Sequence, residues 1–242
     1  MEFVRSYTYK IIPILIIGIL LLCAMKVSAC SEQTLEPSPE KTFNNLILII
    51  KKPQTTMSPV PIAQGLFIAE DKVITVLDYD DVISGKYGPG SLGILGVETE
   101  MRIHSADSHT GATLLIVTDT ENEPCKTGDA CKLKPGQNVL ILGWSSPGIS
   151  QRILQSTVVD SPDKSSAFFT LKISDDDAVR DWTPGPGAVV TDMEGTVLGL
   201  VQTSCSRSSP DISSDELSVT AIPITYIMQW MSQGVDTIGQ TP

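Results

Sequence analysis

Histidine, the side chain that most often acts as a general base, is scarce in this sequence. The chain contains two histidines, His104 and His109, one at the end of a predicted strand and one in the turn after it. An imidazole titrates near neutral pH and can move protons. Histidines at such positions are typical surface residues, however, and we do not predict that either one is catalytic.

Acidic and glycine-rich segments could hold a metal ion or a phosphate. The clusters at 78–81 (DYDD) and 175–177 (DDD) carry carboxylates that suit calcium, but neither has the ligand spacing of an EF-hand loop. Aspartate is common in solvated turns, which is how we interpret both clusters. Residues 88–93 match G-x-G-x-x-G in letters, yet a strand follows where a dinucleotide site needs a helix. We therefore predict neither a metal site nor a cofactor.

The chain has five cysteines, and two of them bracket a polar loop. Cys125 and Cys131 enclose the residues KTGDA. No second Cys or His pair lies at metal spacing, which argues against zinc. Export from the cell would favour a disulfide between the two, and we predict one.

The N-terminal residues have the pattern of a targeting segment. Arg5 and Lys10 precede an apolar run over 11–25, and Val27, Ser28 and Ala29 then lead to Cys30. This predicts a signal peptide over 1–29, and the cysteine resembles a bacterial lipobox, in which Cys30 would carry the lipid anchor. An uncleaved membrane anchor and simple secretion remain alternatives.

The anchored interpretation places the chain at the extracytoplasmic face of the cell membrane. Residues 30–44 are polar and contain two prolines, which indicates a flexible tether. The formal net charge of −11 repels phosphate backbones, so nucleic acid is not a predicted partner.

The rest of the chain has strand periodicity almost to its end, with no long helical pattern between the strands. We predict an all-β fold of two six-stranded antiparallel barrels, because closure removes edge strands. Barrel one spans 45–118, a linker 119–137, barrel two 138–223, a short helix 224–233 and a tail 234–242. The predicted strands are 45–51, 63–69, 72–78, 91–97, 99–105, 112–118, 138–143, 152–160, 167–174, 187–193, 196–203 and 217–223.

Several segments, taken in order, resemble the protease domain of Deg/HtrA-type members of the trypsin-like (chymotrypsin-fold) serine protease family. The resemblance covers residues 45–233 and implies the same double-barrel fold. Its segments are GLFIA at 65–69, VITVLD at 73–78, ATLLIV at 112–117, PGQNVLILG at 135–143, TPGPG at 183–187, EGTVLGL at 194–200 and AIPI at 221–224.

The catalytic triad of that family does not carry over. The family histidine falls on Asp78, and the family aspartate falls on Thr113, or on Ala112 in a neighbouring register. The nucleophilic serine falls on Pro186 in one register and on Gly187 in another, and neither has a hydroxyl. This implies a degenerate member, since a triad works as a unit.

The same two registers differ at the oxyanion hole. In the first, Pro184 and Pro186 would occupy the donor positions, and proline has no backbone N–H. In the second, the backbone donors are expected to survive.

The predicted function is therefore binding rather than peptide cleavage. The cleft between the barrels would serve as a groove for an extended peptide or a protein partner, lined by Trp182, Gly185 and Gly187. For Trp182 the alternative is that it caps the interface between the barrels. The alternatives are a serine-type endopeptidase of the trypsin-like family with a non-standard active site, and a β-domain unrelated to proteases.

Overall fold

The computed structural model describes residues 39–52, 58–118, 120, 122–145, 149–162, 166–173, 182–206 and 217–233. The predicted signal peptide, Cys30, the tail and the aspartate cluster at 175–177 lie outside these residues. The described elements, in chain order, are α1 Pro39–Asn44, β1 Leu46–Lys51, β2 Val60–Ala69, β3 Lys72–Val76, α2 Tyr79–Ile83, β4 Leu92–Ile94, β5 Val97–Ala106, β6 Ala112–Val117, a 3-10 helix Ala130–Lys132, β7 Asn138–Ser145, β8 Ser150–Val158, β9 Phe169–Ile173, β10 Val189–Thr191, β11 Val197–Ser206, β12 Leu217–Pro223 and α3 Ile224–Ser232.

The strands close into two antiparallel barrels of six strands each. Around barrel one the order is β1-β2-β3-β6-β5-β4, and β1 pairs with β4 to close it. Barrel two repeats this order as β7-β8-β9-β12-β11-β10, and β7 pairs with β10. The predicted all-β fold of two six-stranded barrels with a short C-terminal helix is confirmed.

Strand β7 has a long apolar sequence, and this fits its position, because both of its faces are buried. Successive side chains of a strand point to opposite faces. Ile141 therefore packs inside barrel two, while Leu140 and Leu142 pack in the interface between the barrels. In barrel one, Val73 points inward and Ile74 points to the interface.

That interface forms a core of its own. It joins strands of both barrels with α1 and α3, and its buried apolar members are Phe43, Leu46, Leu66, Ile74, Val76, Ala112, Leu114, Leu140, Leu142, Val189, Val197, Leu200, Ile222, Ile224 and Ile227. A shared core of this size fixes the two barrels against each other, so the cleft between them has a defined shape.

Helix α1 lies where the sequence predicted part of the tether. Thr42 and Phe43 are buried, and the Thr42 hydroxyl donates to the carbonyl oxygen of Gly195 at 2.6 Å. The folded domain therefore begins before residue 45, because these two side chains pack against the barrels.

A helix long and apolar enough to cross a membrane is absent from the described part of the chain.

Candidate functional site

A tight turn at residues 185–188 lies between the two barrels. The Ala188 N–H donates to the Gly185 carbonyl at 3.1 Å, with Pro186 and Gly187 as the central residues. Gly187 has φ +80°, which suits the third position of a type II turn. A Cβ on Gly187 would lie 1.8 Å from the carbonyl oxygen of Gln64, so the turn fits closely against β2.

Gln64 of β2 connects this turn to both barrels. Its N–H donates to the Pro186 carbonyl at 3.1 Å, and its own carbonyl accepts from the Thr75 hydroxyl at 2.6 Å. Its side-chain Oε1 accepts from the Trp144 N–H at 2.9 Å. Gln64 is 5% exposed, so these bonds are shielded from water and hold the turn, β3 and β7 together.

An open cavity of about 570 Å³, here the acidic cavity, lies on one side of Pro186. Asp78, Asp80 and Asp81 line it, and no Lys or Arg does among the described residues. Asp78 caps α2, because its Oδ1 accepts from the N–H groups of Asp80 at 2.9 Å and Asp81 at 3.2 Å. Asp81 pairs with Lys86 beside the cavity, and this hydrogen bond raises the pKa of Lys86.

The turn between β5 and β6 forms another wall of the acidic cavity and includes His109. The Asp107 carboxylate shapes this turn: it accepts from the Thr110 hydroxyl at 2.6 Å and from the Tyr226 hydroxyl of α3 at 3.2 Å. Burial is the main cause that raises the pKa of Tyr226, followed by the charge of Asp107. The His109 ring packs on Phe168 of barrel two, with the ring centres 5.4 Å apart.

A second cavity of about 430 Å³, here the apolar cavity, lies on the other side of Pro186. Trp182 is nearly buried and donates its indole N–H to the Trp144 carbonyl at 3.0 Å. Both cavities include Ile62 and Pro186 in their walls, so they are adjacent compartments of one cleft. The apolar cavity is lined by Leu48, Pro61, Ile62, Ala63, Gln64, Trp144, Trp182, Thr183, Gly185 and Pro186.

Some of the residues at the predicted triad positions line the cleft, and others are buried in the fold. Asp78 and Pro186 line the acidic cavity. Thr113 and Ala112 are buried in β6, and the Thr113 hydroxyl donates to the Gly111 carbonyl at 3.0 Å. The residue that lines the cavity at the start of this strand is Gly111, which has no carboxylate either.

Of the three predicted groove residues, two line the cleft and one does not. Trp182 and Gly185 line the apolar cavity. Gly187 lies behind them, buried against Gln64. Its N–H donates to the Val201 carbonyl at 2.8 Å. In the second register Gly187 would supply one of the expected oxyanion donors, and in the structure its N–H is bonded within the fold.

Two residues of the cleft were not predicted from the sequence. Gln64 is the polar residue inside the apolar run 63–69, and that interruption is a signal for a specific role. His109 was predicted to be a surface residue; it is exposed, but it faces the acidic cavity.

The predicted disulfide is not formed in this structure, where Cys125 and Cys131 are free thiols. Cys125 packs against the interface core, and Cys131 lies in the 3-10 helix. Burial raises the pKa of the Cys125 thiol to about 11, which a hydrogen bond with Asn45 partly offsets.

Comparison with known proteins agrees with the geometry of the barrels. No protein-family model and no curated protein sequence matches the chain. Among solved structures, it is similar to an HtrA-type protease, AlgW, solved with a decapeptide. The similarity has a TM-score of 0.53 at 14% identity and covers 81% of this chain and 68% of that protein. The chain therefore has a trypsin-like double-barrel fold.

Proposed function

We propose that this chain is an extracytoplasmic, membrane-anchored pseudoprotease that binds a protein partner in the cleft between its barrels and does not cleave it. The observation that carries the proposal is the turn at residues 185–188. Where a trypsin-like protease needs a nucleophile, this turn has Pro186 and Gly187, and the Pro186 carbonyl and the Gly187 N–H are bonded to the barrels.

The chemistry of acyl transfer supports this proposal. A serine nucleophile needs an adjacent base and hydrogen-bond donors for the developing oxyanion. At the position of the base, Asp78 is a carboxylate whose Oδ1 already caps α2. The Gly187 N–H is bonded to Val201. The cleft itself is open, and an extended peptide is the ligand that we propose, as AlgW was solved with a decapeptide.

The purified protein is expected to hydrolyse neither casein nor ester substrates and to remain unlabelled by a fluorophosphonate. Restoring a hydroxyl with Pro186→Ser should not create labelling, because the base is still missing. The alternative function is a serine-type endopeptidase with a non-standard active site, for which Ser108 of the acidic cavity is one candidate nucleophile. Stoichiometric labelling that one serine substitution abolishes would establish the enzyme instead.

Partner binding is tested by photo-crosslinking on intact cells. A benzophenone amino acid is placed either at Asp80, which is exposed and lines the acidic cavity, or at Val159, which is exposed and outside the cleft. The proposal expects a discrete adduct from position 80 that position 159 does not give. Identical adduct patterns from both positions would contradict binding in the cleft.

The membrane anchor is proposed at Cys30. A lipidated N-terminal cysteine carries more than one acyl chain, which is what stable anchoring needs. Mass spectrometry of the native protein is expected to find residue 30 as the lipidated N-terminus, and Cys30→Ser should leave an unlipidated form. An unmodified N-terminus elsewhere would contradict the anchor while leaving the binding proposal intact.

A further inference from the structure

We propose that the cleft recognises an extended peptide with a large apolar side chain and a basic side chain two positions apart. The apolar side chain enters the apolar cavity, and the basic side chain enters the acidic cavity. Gln64 donates a hydrogen bond from Nε2 to a backbone carbonyl of the same peptide. This inference rests on the proposed function and specifies its ligand.

The side-chain amide of Gln64 is the first observation. Its Oε1 is occupied by the Trp144 N–H, but among the described residues no acceptor bonds to Nε2. This nitrogen borders the apolar cavity, since it lies 3.7 Å from the position that a Cβ on Gly185 would take. Although the Gln64 residue is nearly buried, Nε2 is open to water, because the buried side-chain atoms without a partner among the described residues are those of Ser91, Ser105, Ser156 and Thr191. A ligand carbonyl would take the place of that water on a fixed donor.

The walls around Gln64 determine what else the ligand must carry. Leu48, Ile62, Trp144 and Trp182 line the cavity together with Gln64, and none of the described lining residues is charged. An apolar pocket with one directed polar group is the usual form of an anchoring site. A leucine or phenylalanine side chain suits a cavity of about 430 Å³.

The neighbouring compartment supplies charge complementarity. Three carboxylates line the acidic cavity, and Lys86 pairs with only one of them, Asp81. His109 is the one described lining residue that can carry positive charge. Asp78 and Asp80 are exposed and lie in a chain of strongly negative net charge, so a Lys or Arg side chain is favoured there.

The spacing follows from the geometry of an extended chain. Side chains on the same face of a strand are two residues apart, roughly 7 Å. The two cavities share Ile62 and Pro186 and are therefore neighbours. The ligand pattern is apolar-x-basic or basic-x-apolar, depending on the direction of the peptide.

The binding test uses capped, fluorescein-labelled hexapeptides and the full-length protein. Leu-Ala-Arg and Arg-Ala-Leu cores are compared with versions in which Leu becomes Ser or Arg becomes Gln. Anisotropy should show about tenfold weaker binding for each replacement in the preferred direction. The fluorescence of Trp144 and Trp182 should change only with peptides that carry Leu, with Trp230→Phe removing the third tryptophan from the signal.

Two substitutions assign the compartments. Gly185→Leu should fill the apolar cavity, and its Cβ fits there, since it meets only Gln64 Nε2 at ordinary contact distance. It should abolish the preference for Leu but keep the preference for Arg. Asp80→Asn should do the opposite. Gly88→Leu is the matched control, because Gly88 also has open space and lines neither cavity.

Gln64→Glu tests the donor, since it keeps Oε1 for Trp144 and removes Nε2. It should weaken the peptides without Arg about tenfold, because the new carboxylate also attracts Arg in the others, and thermal unfolding checks that the protein still folds. Binding without side-chain preference, no binding, or preferences unchanged by Gly185→Leu would overturn this inference. The proposed function fails separately, by hydrolysis of the peptides or by crosslinks that do not depend on the cleft.

Discussion

Replacing Gly187 by alanine should lower the stability of the fold strongly, although the substitution adds only one methyl group. A methyl group at this position would lie 1.8 Å from the Gln64 carbonyl oxygen and 2.8 Å from its carbon, and both are backbone atoms that cannot rotate away. Gly187 also has φ +80°, a conformation that costs an L-residue about 1–2 kcal/mol.

The magnitude follows from what must move to accommodate the methyl group. To separate the turn from β2, the bond from the Gln64 N–H to the Pro186 carbonyl must break. Leaving buried groups unpaired costs about 1–3 kcal/mol, so Gly187→Ala should destabilise by about 4 kcal/mol in all. In a domain of this size that corresponds to a fall in Tm of roughly 8–16 °C.

The control is Gly185→Ala in the same turn. Gly185 has no positive φ, and its nearest neighbour to an added Cβ is 3.7 Å away. This substitution should change the free energy of unfolding by less than about 1 kcal/mol. Urea denaturation followed by tryptophan fluorescence measures both variants. Similar stabilities of the two would refute the argument that the turn is fitted against β2.

Three further substitutions or measurements test the contacts around the cleft. Thr42→Val removes the buried hydrogen bond to Gly195 and should cost about 2 kcal/mol, whereas a residue of a flexible tether would tolerate the change. The pKa of Tyr226 is raised above 10.0, so its contribution to the free energy of unfolding is present below pH 10 and is lost as the pH rises through the folded-state pKa. Tyr226→Phe should therefore lower the free energy of unfolding by about 1 kcal/mol at pH 7. The variant should also lose less of its stability at alkaline pH than the parent protein does. The Cys125 thiol, with its pKa raised from 9.0 to about 11, should react with iodoacetamide about a hundredfold more slowly at pH 8 in the native than in the unfolded protein, as measured by peptide mass spectrometry without reductant. The Thr42 contact would be contradicted if Thr42→Val were as stable as the parent protein. The Tyr226 contact would be contradicted if Tyr226→Phe left the pH dependence of stability unchanged. Equal alkylation rates in the native and unfolded protein would contradict the burial of Cys125.

The strands and their division into two barrels could be predicted from the sequence because the signal is local. Short runs rich in β-branched residues, divided by turn residues, mark the strands, and each of the twelve predicted runs overlaps a strand of the structure. Helix α2 could not be predicted in this way, since Tyr79–Ile83 is too short for a helical period. Its N-cap, Asp78, was therefore assigned to the end of a strand.

The residues of the cleft were harder to predict because their roles depend on contacts between distant parts of the chain. Gln64 bonds to Trp144, eighty residues away, and Asp107 to Tyr226, at a separation of 119. A polar residue in an apolar strand signals that a partner exists, but the sequence does not indicate which one. The same limit applies to Gly187, whose conformation is readable as a turn but whose contact with β2 is not.

The turn at residues 185–188 connects the fold to the proposed function. An oxyanion hole needs backbone N–H groups that are free to bind the ligand. Here the Gly187 N–H is bonded to Val201, and the Pro186 carbonyl is bonded to Gln64. These bonds fix the turn at the point where the two cavities meet, and under the proposed function the Gly187 N–H serves the fold and not an oxyanion. A cleft built in this way keeps its shape for binding, and a new hydroxyl at residue 186 alone would leave both bonds in place.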